Sequence, residues 1–592
     1  MTYDVGAIRH TSHVIRHTSY VTHHFPYHFI SEFVYFCRFE SRNKTPPNMQ
    51  KISLLTIILA AALLFGCQKP KAIVVVPEPV EITPKAGQFT IDNKTMLCFD
   101  NLGAEASETS KMIRNLYESY FKLRPNLGDA ESAKKYSILF SISKKEIKDI
   151  GDEGYKIQVK PKRIVVEANT TAGLFYGMQT LLQLAGTDKL TDNKTFAVPC
   201  CQITDYPRFA YRGAHLDVSR HFFDTAFVKK YIDMLAMYKI NKFHWHLTDD
   251  HGWRIQIDRY PELTRVGAWR PERSSWDTLH PVLPDEPMTY GGFYTKEQIR
   301  DIVRYAATRH IDIIPEIEIP GHCSAILAAY PQFACDAYPY TVAVGPYWPP
   351  KAIMCAGNDG VLTFYKNVLN EVAELFPYPY IHIGGDEAFN DNWQVCPKCQ
   401  QRIQDKGLKN EFELQQWLMN QIEQHLDSLG KKAIIWDDIV SEDMVNKSTI
   451  MCWQGLDVAK TAAKHGNDVI MCPTTHCYYN YYQSKDKDER LCMEGYVSLG
   501  KAYSFDPMPE GLSEAQQKHI LGGQCNLWTE FVNDPETAEY MILPRLFALS
   551  ECVWSPKEKK DPKKFATKVE FERNLMKKLG YRPSNRTVME LE

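Results

Sequence analysis

Eight short apolar runs, at 212–218, 242–248, 311–319, 380–383, 432–436, 448–453, 468–473 and 520–528, recur between amphipathic stretches after about residue 206. They read as the buried strands of a parallel sheet. The stretches between them read as helices. Over 296–310, Thr295 and Gln298 have capping-box spacing, and Ile299, Ile302, Val303, Ala306 and Ala307 keep the rhythm of one apolar face; 414–429 is another helix. Eight strand–helix alternations predict an α/β chain whose catalytic part is a (β/α)8 TIM barrel over 206–555, with 556–592 as a C-terminal tail.

Such a barrel takes about 250 residues, more with insertions, so the region before 206 is something else. Residues 155–159 and 163–167 flank a turn at 160–162 and predict a hairpin, and 171–184 predicts a helix carrying Leu174, Met178, Leu181 and Leu182. Together they indicate a small α+β domain over 85–205, with no chemistry concentrated in it. Further upstream, a basic start at Met49 leads into the apolar segment 52–66 and Cys67, which reads as a signal peptide too short to span a bilayer. Leu64-Phe65-Gly66-Cys67 resembles a lipobox, implying cleavage before Cys67, a lipid anchor on its thiol and an exported bacterial lipoprotein in the periplasm or outer membrane. The Pro-rich segment 68–84 is expected to be an extended tether. Residues 1–48, with the near repeat Ile8-Arg-His-Thr-Ser12 and Ile15-Arg-His-Thr-Ser19, read as an upstream mis-start rather than structure.

Apolar residues at 44% and aromatics at 12% supply a large core, and the net charge of -3 argues against a nucleic-acid partner. Of the sixteen cysteines, fourteen remain when Cys37 and Cys67 are set aside, without the rhythm of a disulfide scaffold. Cys396-Pro-Lys-Cys399 lacks a second such pair or neighbouring histidines for zinc, so a local disulfide or two free thiols is expected there.

The strongest chemical signal is Tyr380-Ile-His-Ile-Gly-Gly-Asp386-Glu387, two adjacent carboxylates delivered by an apolar run and two glycines. At the C-terminal face of a barrel, residues ending different strands share one pocket. This chain would bring there Asp217 and Arg220, Asp249 and Asp250, Glu318 and His322, Asp386 and Glu387, Trp436-Asp-Asp438, Trp453, Tyr478, and Trp528-Thr-Glu530. Carboxylates walled by rings suit a sugar, whose apolar faces the rings cover and whose hydroxyls the acids and Arg bind. Each residue alone is ordinary: a strand-end Trp is more often core, Asp217 and Arg220 make a simple ion pair, and Glu316 and Glu318 could be a polar pair inside the barrel. The convergence of all eight strands tips the balance.

His-Ile-Gly-Gly-Asp386-Glu387, with Leu216-Asp-Val-Ser-Arg220-His-Phe222, His244-Trp-His-Leu-Thr-Asp-Asp250, Pro320-Gly-His322 and Asn526-Leu-Trp528-Thr-Glu530, resembles glycoside hydrolase family 20, the β-N-acetylhexosaminidases, over about residues 75–555. The resemblance implies exo-acting hydrolysis of terminal β-linked GlcNAc or GalNAc. Glu387 would be the general acid and Asp386 the carboxylate that orients the substrate's 2-acetamido group. The acetamido oxygen would attack the anomeric carbon, giving an oxazolinium intermediate and net retention. It further implies that Arg220 binds the 3- and 4-hydroxyls, Glu530 the 4- or 6-hydroxyl and Tyr478 the acetamido carbonyl. Trp436, Trp453 and Trp528 would wall the acetamido pocket, His322 and Asp249 would form a relay behind Glu387, and no metal or organic cofactor would be needed. Asn480 stands where the family commonly has an acid that reads hydroxyls on the far side of the sugar. Two neighbouring carboxyls should titrate as a coupled pair, one ionised and one protonated near neutrality. Two rivals remain: a glycan-binding lipoprotein without hydrolysis, and a retaining glycosidase with a protein nucleophile such as Glu318.

Overall fold

The computed structural model of the protein describes residues 73–590, apart from 104–105, 187–194, 274–279, 346–351 and 443–446. The expected mis-start, signal peptide and Cys67 anchor lie outside the described residues. Among the described residues, no helix is long and apolar enough to cross a membrane.

The N-terminal domain is a seven-stranded mixed sheet made of β1 (Glu81–Ile91), β2 (Met96–Asp100), β3 (Asn126–Asp129), β4 (Ser137–Ile142), β5 (Tyr155–Lys160), β6 (Arg163–Ala168) and β7 (Phe196–Asp205), in the order β1-β7-β5-β6-β4-β2-β3. The expected hairpin is β5–β6, paired antiparallel from Tyr155↔Ala168 to Lys160↔Arg163. The helix Thr171–Ala185 is capped by Thr170, whose hydroxyl accepts from the amides of Ala172 and Gly173. It is buried nearly all round because the sheet covers one side and the barrel the other: Gln183 Nε2 donates to Val76 O, and Tyr176 Oη accepts from Arg212 of the barrel at 3.3 Å.

Part of the expected tether belongs to this fold. Val75 to Pro79 are buried, and β1 begins at Glu81, because two valines and two prolines carry enough apolar surface to pack between the domains. The expected C-terminal tail is likewise folded. Its helix Pro562–Lys578, capped by Asp561, buries Phe565, Val569, Leu575 and Met576, and Lys568 bonds Glu551 at 2.7 Å.

All eight expected barrel strands form: β8 (Tyr211–Asp217), β9 (Lys242–His246), β10 (Asp312–Ile319), β11 (Tyr380–Gly384), β12 (Lys432–Trp436), β13 (Thr449–Cys452), β14 (Val469–Met471) and β15 (Ile520–Cys525). They pair in parallel and close through β15 against β8, Gly522 opposite Tyr211. The capping box at Thr295 and Gln298 is present, on the helix Lys296–Ala307.

Candidate active site

The sequence places two carboxylates side by side where a regular strand would point neighbours apart. The backbone resolves this: β11 ends at Gly384, and Gly384 (φ 63°), Gly385 (φ 104°) and Glu387 (φ 42°) all take the left-handed region. A Cβ on Gly384 would stand 2.0 Å from Glu318 Oε2, so only glycine fits over that buried carboxyl. The turn aims both acids at one histidine. His322 Nε2 lies 3.4 Å from Asp386 Oδ2 and 3.6 Å from Glu387 Oε2, while its Nδ1 lies 3.3 Å from Asp249 Oδ1. His322, also in the left-handed region (φ 46°), is held by the loop that follows β10.

The chain of ionisable groups continues deeper than the sequence indicated. Asp249 Oδ2 meets Arg220 at 2.8 Å and His246 Nε2 at 2.9 Å, and His246 Nδ1 in turn hydrogen-bonds Glu316. Glu316 also faces His244 at 3.0 Å and His382 at 2.8 Å, and it accepts from Trp436 Nε1 at 2.8 Å. Burial alone would lower the His246 imidazole, but the Glu316 charge and the hydrogen bond to Asp249 lift it to about 10. His322 likewise rises well above the ordinary imidazole value, because Asp249 and Asp386 outweigh its burial. Alternation within β10 and the HWH triplet of β9 were the available signals for this inner layer.

Glu318, two residues beyond Glu316, behaves differently. Neither of its oxygens has a hydrogen-bond partner among the described residues, and burial, followed by the charges of Asp386 and Glu316, pushes it well above the carboxylate range. Its carboxyl is biased toward the protonated form beneath the dyad. Glu387 departs from the expectation of a protonated partner, since His322 opposite it holds its carboxyl below the ordinary value. The reason is tertiary: His322, carried by the loop after another strand, faces Glu387 and favours its charge.

The aromatic residues lie close together. Ring centroids of Trp436 and Trp528 are 5.9 Å apart, Tyr478 and Trp528 6.5 Å, and Trp453 and Tyr478 6.4 Å, and the Arg220 guanidinium lies over Trp528 at 4.9 Å. Glu530 is buried and raised to about 7 chiefly by that burial, which outweighs Arg220. Asn480 is buried with its side-chain oxygen unpartnered. Asp438, named by the sequence only as a strand-end acid, joins the wall to the dyad: it accepts from Trp453 Nε1 at 2.8 Å and from the Glu387 amide at 3.3 Å. Burial and the Asp386 charge raise it to about 6.

A cleft between Leu116 and Tyr120 of the N-terminal domain and Met237 and Tyr305 of the barrel contains none of these groups. Cys396 and Cys399, expected as a local disulfide or two free thiols, gather with Cys335 and Cys355 from an earlier loop. The N-terminal spacing of the CxxC pair gave no sign of partners more than forty residues away.

The family model described as "Glycosyl hydrolase family 20, catalytic domain" matches residues 209–557, the barrel, and that described as "Glycosyl hydrolase family 20, domain 2" matches 72–206. The chain belongs to glycosyl hydrolase family 20. A relative from Porphyromonas gingivalis named beta-hexosaminidase is 38% identical over 84% of this chain and 63% of its own length, so the chain spans less than two thirds of that protein. A beta-hexosaminidase of Vibrio furnissii is 33% identical over 93% of this chain and 88% of its own. Among solved structures, the family-20 exo β-N-acetylglucosaminidase of Vibrio harveyi, in complex with N-acetylglucosamine, superposes with a TM-score of 0.77 at 31% identity, covering 88% of this chain and 80% of that one. The β-N-acetylhexosaminidase of Bacteroides fragilis gives 0.72 at 31% identity, covering 87% and all of that chain (100%). The second model accounts for the boundary near residue 72: in this family-20 chain the segment after 72 is part of domain 2 rather than a free linker.

Proposed function

We propose that this family-20 chain is an exo-acting β-N-acetylhexosaminidase that removes terminal β-linked GlcNAc or GalNAc from glycans with retention of configuration. The observation that carries the reading is one histidine facing two carboxylates beneath a ring wall, in a barrel whose relatives are named β-hexosaminidases.

The terminal sugar seats its 2-acetamido group against Trp436, Trp453 and Trp528, with Tyr478 donating to the acetamido carbonyl and Arg220 and Glu530 on the ring hydroxyls. Glu387, protonated in the reactive complex, gives its proton to the glycosidic oxygen as the C–O bond breaks. The acetamido oxygen closes on the anomeric carbon, and Asp386 stabilises the positive charge that develops on the acetamido nitrogen. Water then attacks the anomeric carbon, Glu387 takes its proton, and the acetamido group is released. In the free site His322 is raised and Glu387, facing it, is lowered, so the proton occupancies of these two groups are linked. Burial and the charges of Asp386 and Glu316 push Glu318 well above the carboxylate range, which weighs against the protein-nucleophile rival.

Side-by-side assay of aryl β-GlcNAc, β-GalNAc and β-glucose tests the reading: turnover should require the N-acetyl group, and a thiazoline mimic of the bicyclic intermediate should inhibit far more tightly than GlcNAc binds. Equal turnover of the β-glucoside, or a covalent glycosyl-enzyme seen by mass spectrometry, would overturn it.

Export as a lipoprotein anchored at Cys67 is part of the same proposal, supported by the lipobox-like Leu64-Phe65-Gly66-Cys67. Cys67→Ser should abolish lipid labelling and move the protein to the soluble fraction; unchanged membrane association would refute the anchor.

A further inference from the structure

We propose that Cys335, Cys355, Cys396 and Cys399 form a structural zinc site that ties together the two loops carrying the acid–base groups. The four sulfurs come from two segments distant in sequence. Cys335 and Cys355 lie in the excursion after β10, between His322 and the helix Asp359–Leu375, and Cys396 and Cys399 cap and open the helix Pro397–Lys406 after β11. All four Sγ atoms lie within 4.8 Å of one another, and Cys335–Cys399, Cys355–Cys396 and Cys355–Cys399 are 3.8, 3.7 and 3.7 Å apart. A tetrahedron with Zn–S bonds of about 2.3 Å has S–S edges of about 3.8 Å. Three of the six edges match and the other three lie within 4.8 Å, all far longer than a disulfide bond of about 2.05 Å. Two-cysteine contacts are common in cores, where thiols behave as small apolar groups; a four-sulfur cage is not what such packing produces. Among the described residues it is the one cluster of possible ligands made of cysteine alone.

The surroundings fit a thiolate cage. Gly357 has no room for a side chain, since its Cβ would meet the Lys398 carbonyl carbon at 2.2 Å. Three of the cysteines are buried and Cys335 is partly so, which leaves no open coordination position and argues for a structural ion.

The cage lies on the path to the dyad. Met354, next to Cys355, donates its amide to Pro320 O at 3.1 Å, two residues before His322, and Trp393 Nε1 donates to Met354 O at 2.9 Å from the segment that follows Glu387. Gly321 in turn approaches the Asp386 carbonyl, which a Cβ there would meet at 3.2 Å. A metal cross-link here would fix the spacing between the His322 loop and the Glu387 loop, a positioning role independent of the reaction proposed above.

Metal content decides the matter without reference to activity. The full chain, produced in zinc-supplied cells and purified under reducing conditions without metal-affinity steps, should hold roughly one zinc per chain by mass spectrometry of the elements. A mercurial thiol reagent should release it stoichiometrically, and cobalt exchanged into the site should give the visible spectrum of tetrahedral thiolate coordination. Cys396→Ser/Cys399→Ser should lose the metal and unfold at lower temperature. If that variant does not fold, the measurement on the unaltered chain still decides. Zinc-free protein with four reactive thiols, two disulfides among these cysteines, iron at the same stoichiometry, or full zinc retention in the double variant would each overturn the proposal.

Discussion

Glu316 and Glu387 belong to the same chain of ionisable groups, yet they stand at opposite ends of it in every physical sense. Glu316, inside the barrel, faces three histidines and accepts from a tryptophan, so its burial is matched by partners and its charge is held. Glu387, at the mouth, has a half-exposed side chain, and Asp386 Oδ1 beside it, like Asn480 Oδ1 and Glu530 Oε2, has no hydrogen-bond partner among the described residues. Buried polar atoms without partners are costly. Where they cluster at a barrel mouth under aromatic rings, they mark positions a sugar hydroxyl or amide would complete. The filled shell around Glu316 serves stability; the open positions at the mouth serve binding.

The sharpest way to break this contrast is to empty the inner end. Glu316→Ala strips the buried positive charge of His246 of its main partner, and breaking a buried pair costs about 3–5 kcal/mol. Thermal and denaturant unfolding should both show the loss; an unchanged midpoint would mean that the inner layer is not structural.

At the outer end the effect should fall on rate. Glu387→Gln should cost at least about two orders of magnitude in kcat/KM on natural glycosides, much less on aryl glycosides with good leaving groups, and nothing measurable in thermal stability. Equal losses on both substrates would remove Glu387 from the role of proton donor.

The link between the two ends is His322, and pH separates its part. Because its folded value is raised, its charge is fully present below the unfolded value of about 6.5, and it is lost only as pH rises through the folded value. Glu387, lowered in the fold, keeps its charge above its ordinary value and loses it as pH falls. The alkaline limb of kcat/KM should therefore report the proton held on the His322 unit. In His322→Gln that limb should move to lower pH, where Glu387 itself titrates. Coincident profiles would show that His322 stores no proton for the reaction.

The smallest effect concerns the far side of the mouth. An amide at Asn480 can donate to an oxyanion where an aspartate would repel it, so the native chain should tolerate a 6-sulfate on GlcNAc better than Asn480→Asp does. Glu530 opposes this with its own charge. Comparison of kcat/KM for GlcNAc and 6-sulfo-GlcNAc glycosides in both proteins measures it, and an unchanged ratio would mean that Asn480 does not read this position.

What the sequence determined by itself is what local pattern encodes. Alternation of apolar runs with amphipathic helices fixed eight strands to within a few residues, and two glycines ahead of Asp386 announced a turn that the backbone takes. The motifs around Arg220, His322, Asp386 and Trp528 sufficed to indicate the family and the gathering of its polar groups. Only the tertiary structure decided three things. It showed that the stretch after residue 72 carries enough apolar surface to join the fold, since burial depends on a partner surface that local composition does not reveal. It decided how the acids are biased: burial beside Asp386 and Glu316 raises Glu318, while His322, carried by the loop after another strand, lowers Glu387. It also brought the Cys396–Cys399 pair to Cys335 and Cys355, because barrel closure sets strands β10 and β11 side by side and carries their loops into contact, a proximity that no spacing along one chain expresses.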